Sequence, residues 1–238
     1  MPVLLMARGD QPSRLALGQA IEARYGMRPP VLDSLQVDFE GRARIKLGFF
    51  MTWVPVHVTA YFAFPNRMRW DFAVRPVGVP IQKGIESYDG RYFRRIRGNG
   101  AAEVIETLDV VHSAQQRLWA VAALLLTPLG EHYVSLRHVD DTHFTAAHYD
   151  LGTEVTLALN ADYTLAQVST HCWNADAEQQ QLYQLHIEGE LANLNDILLP
   201  SKIIAYWNDE PSFEVKPISL ILNPTIPDAI FELGNESA

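Results

Sequence analysis

Between Val54 and Val74 the chain alternates so strictly that one kind of local structure accommodates it. The even positions of the first run are Val54, Val56, Val58, Ala60, Phe62 and Phe64, and those of the second are Met68, Trp70, Phe72 and Val74. A period of two places each set on one side of a β-strand, so both strands carry a dry face. A three-residue loop, Pro65-Asn66-Arg67, pairs Phe64 with Met68, Phe62 with Trp70 and Ala60 with Phe72, and keeps every apolar side chain on that face. A two-residue loop would set Phe62 against Arg69 and spoil it. The expected product is a long antiparallel hairpin whose apolar face another part of the chain must cover.

Around this hairpin the sequence reads as strands with a few helices. Ser13 to Tyr25 predicts a first helix, with Ser13 as N-cap, Gly26 as the stop, and Leu15, Leu17, Ala20, Ile21 and Tyr25 toward a sheet. Ala43, Ile45, Leu47 and Phe49 alternate with polar or small residues and predict another one-sided strand. Gly84 to Tyr88 and Arg91 to Arg97 follow, joined by Asp89-Gly90, a dipeptide suited to a type I′ turn. Residues 112–130 predict a helix capped by Ser113 and ended by Pro128. Its unbroken apolar run, Leu118 to Leu126, implies burial on more than one side. A second β series runs through 132–139, 142–149, 153–159, 163–173, 178–191, 203–207 and 212–222. Its short, turn-rich links favour antiparallel neighbours. With 238 residues the chain can bury one sizeable core. A single domain over 1–238 is expected, with an N-terminal extension at 1–12, a body at 13–231 and a frayed tail at 232–238.

Charge and cysteine content remove several function classes. A formal net charge of −9 argues against a nucleic-acid partner, which needs a concentrated basic surface. Arg91, Arg94, Arg95 and Arg97 do cluster, but Glu103 and Glu106 follow, and the group reads as the solvated side of a strand. Cys172 is the one cysteine, so neither an intramolecular disulfide nor a cysteine-based zinc cage can form. The first ten residues have no basic leader and no apolar core of signal-peptide length, so the chain is expected to stay inside or to have its export signal outside this sequence. No segment reaches the ~20 apolar residues of a membrane-spanning helix.

Candidate chemistry is sparse. If Asp140-Asp141 were a two-residue loop, His138 would face His143, and with Asp140 they could hold a divalent metal. The competing register pairs Leu136 with Phe144 and Val134 with Ala146, keeps the apolar face intact and sets Arg137 opposite His143. His171 and Cys172 are adjacent on a strand and point to opposite faces, so they cannot act as base and nucleophile without a bulge. Gly98-Asn99-Gly100 lacks the strand-to-helix switch of a dinucleotide fingerprint and reads as a turn. Asn235-Glu236-Ser237 matches a glycosylation sequon. Trp70, Trp119, Trp173 and Trp207 could line a ligand cavity or be ordinary core. A long apolar sheet face with two helices to cover it favours an unfilled interior.

The order of elements, with Trp70-Asp71-Phe72 after Pro65-Asn66-Arg67, then Tyr88-Asp89-Gly90, Leu199-Pro200 preceding a strand and a final Ile226-Pro227-Asp228-x-x-Phe231, resembles the lipoprotein-carrier superfamily. That group includes the periplasmic lipoprotein chaperone, its outer-membrane receptor and related sorting proteins. The resemblance spans about residues 13–231. It implies a mainly β fold with a few helices: a strongly curved antiparallel sheet, a half-barrel, covered by a helical lid. It also implies acyl chains or other lipids held between sheet and lid, no catalytic residue, no cofactor, and a place in the cell envelope or periplasm. The matching pocket positions are Val56, Val58, Phe62, Trp70 and Phe72 on the sheet and Trp119, Leu124 and Leu125 on the lid. No lipid-attachment cysteine lies near the N-terminus.

The expected function is non-enzymatic carriage or sensing of lipid or lipidated protein, with an acylated protein or an envelope protein as partner. A metal-assisted hydrolase using His138, His143 and Asp140, and an interaction module whose concave side is filled by its own helices, are the alternatives.

Overall fold

The alternating runs fold as two long neighbouring strands of one fourteen-stranded sheet. The structure, a computed structural model, is described over residues 5–47, 50–75, 82–175, 177–195 and 197–233. Of the tail expected at 232–238, residues 234–238 with the sequon lie outside the described residues, as do Gly48 and Phe49, whereas Glu232 belongs to a helix.

A first meander comprises β2 (Ser34–Leu47), β3 (Phe50–Ala63), β4 (Arg67–Val74), β5 (Gln82–Tyr88), β6 (Phe93–Arg97) and β7 (Glu103–Ile105). A second comprises β8 (Val134–His138), β9 (His143–His148), β10 (Thr153–Leu159), β11 (Leu165–Asn174), β12 (Gln179–Leu194), β13 (Ile197–Trp207) and β14 (Glu210–Leu222). Strand β14 pairs with β2, with Phe213 opposite Ala43 and Leu222 opposite Leu35, and so joins the meanders. Among the described residues every ladder is antiparallel except that of the two-residue β1 (Arg8–Gly9), which runs parallel to β8 at one edge. The other edge is β7. The architecture is the curved, unclosed antiparallel half-barrel expected from the sequence.

Helix α1 (Gln11–Tyr25) begins two residues before the expected start. Asp10 is its cap: the carboxylate accepts from Ser13 N at 2.8 Å, and Ser13 is itself buried inside the first turn. Gly26 ends the helix at φ 65°, a left-handed conformation that glycine adopts without cost. Helix α2 (Leu108–Leu125) starts five residues before Ser113. Ser113 is not its cap; the hydroxyl donates to Trp173 O on β11 at 2.9 Å. A 3-10 turn, Thr127–Gly130, follows and contains Pro128. A short helix, α3 (Asp228–Glu232), packs near β4 and β5.

Three hairpins keep the expected faces but not the expected pairings. Across β3 and β4, Phe62 faces Met68 and Ala60 faces Trp70, a slip of two residues. Across β8 and β9, Leu136 faces Ala146 and His138 faces Phe144. Between β5 and β6, Tyr88 faces Phe93 across a four-residue loop in which Asp89 Oδ1 accepts from Arg91 N at 2.8 Å and Tyr92 N at 2.7 Å. That carboxylate-closed turn replaces the type I′ turn, because an aspartate side chain can satisfy two loop donors at once. Leu199 and Pro200 lie within β13 instead of preceding it.

Candidate functional site

The curvature of the central strands leaves a cavity of about 380 Å³ on the concave side. One wall is Phe39, Ala43 and Ile45 of β2, Val56 and Val58 of β3, and Trp70, Phe72 and Val74 of β4. The facing wall is Tyr183 and Leu185 of β12, Ile203, Ala205 and Trp207 of β13, and Ser212, Phe213 and Val215 of β14. Helix α2 contributes Arg117, Val121 and Leu124, and β5 contributes Glu86. Within the hairpin the lining residues are alternate positions brought level by the register, with Val58 opposite Phe72 and Val56 opposite Val74. Period-two patterning of the sequence thus becomes one continuous apolar surface.

Five of the eight pocket positions named from the sequence line this cavity: Val56, Val58, Trp70, Phe72 and Leu124. Phe62, Trp119 and Leu125 do not. Phe62 is fully buried and meets Trp70 edge to face, with ring centroids 5.2 Å apart. Trp119 points to the other side of α2, where its indole donates to Ala146 O on β9 at 2.8 Å and its edge meets His148. Leu125 is buried at the helix end, its carbonyl accepting from Tyr25 Oη at 3.1 Å. Helical periodicity explains the division. Residues 117, 121 and 124 share one face, whereas 118, 119, 122 and 125 turn into the core. That spacing was available in the sequence and selects Arg117 and Val121, which the apolar run Leu118 to Leu126 concealed. The facing wall from β12 to β14 left no local signal, because it depends on the pairing of β14 with β2.

Glu86 and Arg117 are the charged residues among the lining groups. Arg117 Nη2 lies 3.2 Å from Glu86 Oε2, and Arg95 Nη2 lies 3.0 Å from Glu86 Oε1. Burial alone would raise the Glu86 carboxyl; the two guanidiniums overrule it and hold it below its ordinary range. Arg117 Nε is buried without a hydrogen-bond partner. Burial raises the Tyr183 hydroxyl well above the ordinary range of a phenol, so it stays protonated. Besides Ser113 and Arg117, Gln115 tethers α2, its amide donating to Tyr88 Oη at 2.7 Å.

The other expected chemistry does not assemble. His138 and His143 lie at positions of opposite parity in their ladder, and His143 Nδ1 instead contacts Asp140 Oδ1 at 2.8 Å. Among the described residues no cluster of three potential metal ligands exists. Cys172 is fully buried while His171 is exposed, and burial pushes the thiol up to about 12, leaving it unreactive at neutral pH. No described helix is long and apolar enough to cross a membrane.

A curved, open antiparallel sheet around an apolar cavity defines a LolA-like fold, and solved structures share it. A LolA superfamily protein from Nitrosomonas europaea superimposes with a TM-score of 0.51 at 12% identity, covering 92% of this chain and 96% of that one. A candidate outer membrane lipoprotein-sorting protein domain from Vibrio parahaemolyticus gives 0.52 at 9% identity, covering 93% and 98%. A DUF1329 family protein from Desulfovibrio piger gives 0.50 at 11% identity, again covering 93% and 98%. At the level of sequence, residues 22–215 match the family of unknown function DUF6544, and the chain belongs to that family. No curated protein matches the sequence.

Proposed function

We propose that this protein is a non-enzymatic carrier or sensor that holds the acyl chains of a lipid or lipidated protein in the cavity between the central strands and α2. The observation that carries this reading is the lining itself: a concave surface of aliphatic and aromatic side chains from six strands, left unfilled by the helix beside it. In this reading Val56, Val58, Trp70, Phe72 and Leu124 contact the chain. Phe62, Trp119 and Leu125 hold the wall and the helix in place. Helix α2 is the lid. Its tethers at Ser113, Gln115 and Arg117 are a few polar contacts worth about 1 kcal/mol each. A dozen buried methylenes at about 0.8 kcal/mol apiece outweigh these polar contacts, while Leu118, Trp119 and Leu125 on the opposite face keep the helix seated in the core. Resemblance to a lipoprotein-sorting domain supports a cell-envelope setting and an acylated protein as one partner.

Organic extraction of the purified protein followed by mass spectrometry is expected to recover lipid. Delipidated protein should bind a fluorescent fatty acid saturably, and Ala205→Trp, which fills the cavity from β13, should abolish that binding while the protein stays folded. An extract without lipid, together with no saturable binding, overturns the reading.

A further inference from the structure

Resting on the carrier reading above, we propose that the cavity selects an acyl chain carrying an anionic oxygen head group, a carboxylate or a phosphate, which Arg117 and Tyr183 receive. An apolar cavity meant for a neutral chain has no use for a guanidinium, because an underpaired charge away from water is costly. Here two guanidiniums, Arg95 and Arg117, meet one carboxylate, Glu86, so the cluster carries one net positive charge. Arg95 takes one oxygen of Glu86 and Arg117 the other.

Arg117 is also the guanidinium of the pair that lines the cavity, and it has unspent hydrogen bonds. Its Nη2 donates to Glu86, and its Nε is buried without a partner. Nearby, Tyr183 packs at a tilt against Trp207 with ring centroids 4.8 Å apart. Its hydroxyl forms no hydrogen bond with the described residues, and the Arg117 charge acts on it. A guanidinium and a phenol that both line the cavity offer donors to a planar carboxylate or to phosphate oxygens. An arriving carboxylate would balance the cluster at two positive and two negative charges, and a phosphate would at least neutralise it.

The test compares heads on one chain length. Displacement of the neutral probe N-phenyl-1-naphthylamine from delipidated full-length protein is measured with palmitate, methyl palmitate and palmitoyl lysophosphatidate, each below its micelle concentration. Palmitate or the lysophosphatidate is expected to bind about tenfold or more tightly than the methyl ester. Whichever anion leads identifies the head group. In Arg117→Gln the affinities of the anions and the ester should converge to within about twofold of one another. If neither palmitate nor the lysophosphatidate binds more tightly than the methyl ester in the wild type, the inference is overturned while the carrier reading stands. A preference that survives in a folded Arg117→Gln overturns it likewise. If none of the three displaces the probe, the carrier reading fails along with it. The wild-type comparison decides the matter even if the variant does not fold.

Discussion

Phe72 lies with its ring over Gly84, the residue opposite it in the β4–β5 ladder. A Cβ at Gly84 would stand 2.2 Å from the ring's Cζ, so the absence of a side chain there is what lets the aromatic lie back against the wall. The cavity in front of it stays open as a result. Gly84→Val should therefore push the ring forward into the cavity, since the clash is with the far end of a side chain and not with backbone. The expected stability cost is about 1–2 kcal/mol in urea unfolding. Probe binding by the folded variant should lose most of its wild-type amplitude; an unchanged amplitude would mean that the ring does not border the binding space.

Helix α1 holds the end of α2. Arg24 Nε donates to Leu198 O at 2.8 Å and its Nη1 to Leu124 O, while Tyr25 Oη donates to Leu125 O. The last carbonyls of a helix have no partners within it, and a cation beside them is favourable. Arg24→Met keeps an apolar stem but removes the donor from the Leu124 and Leu198 carbonyls, leaving Tyr25 alone at the helix end. A loss of about 2–3 kcal/mol is expected, with faster hydrogen exchange over 118–126. Exchange there that matches the wild type would show that α2 does not depend on this anchor.

His148 is almost fully buried, stacked on Tyr133 with centroids 4.7 Å apart, and its Nε2 has no partner. Burial lowers its pKa below the ordinary 6.5, against the opposing pull of Asp150. The unfolded chain then takes up the proton first. Stability contributed by the neutral ring is complete above pH 6.5 and declines as the pH falls below it toward the folded value. His148→Phe keeps an aromatic ring in place and should flatten the fall in unfolding free energy that sets in below pH 6.5. A slope in that window identical to the wild type would assign it to other groups.

How the sequence met the structure is clearest in the three hairpins. Phe62 was expected opposite Trp70 and lies opposite Met68; Leu136 was expected opposite Phe144 and lies opposite Ala146. A two-residue turn would set Tyr88 opposite Arg91, and it lies opposite Phe93. Each departure is a slip of two. Alternation specifies which face a residue joins, and an even slip leaves every face intact, so pattern alone does not separate these registers. Loop chemistry does, as in the double acceptance by Asp89, and the cap of α1 followed the same logic when Asp10 outcompeted Ser13. The final Ile226-Pro227-Asp228-x-x-Phe231 was legible as an echo, and its physical role is now visible. Phe231 is fully buried, its carbonyl accepting from the buried Ser87 hydroxyl at 2.7 Å, and Arg67 pairs with Asp228. The β12–β14 wall was not legible, because the ladder joining β14 to β2 is a contact between distant parts of the chain.

The distinction between wall and core can be tested on two phenylalanines of one hairpin. Phe62 has no exposed surface and is surrounded by packed side chains, whereas Phe72 keeps part of its ring toward the cavity. Truncating a fully packed ring forfeits contacts on all sides and leaves a void, which costs about 3–5 kcal/mol. A ring that borders open space already lacks neighbours on one side, so its removal forfeits fewer contacts. Phe62→Ala should fall in the higher range and Phe72→Ala well below it, near about 1–2 kcal/mol, with matched m-values in urea. Addition of palmitate should raise the midpoint of the wild type by mass action and that of Phe72→Ala by less, since the lost ring is part of the surface it covers. Equal destabilisation by the two truncations would mean that the concave side is packed shut, and the cavity would then be no site for an acyl chain.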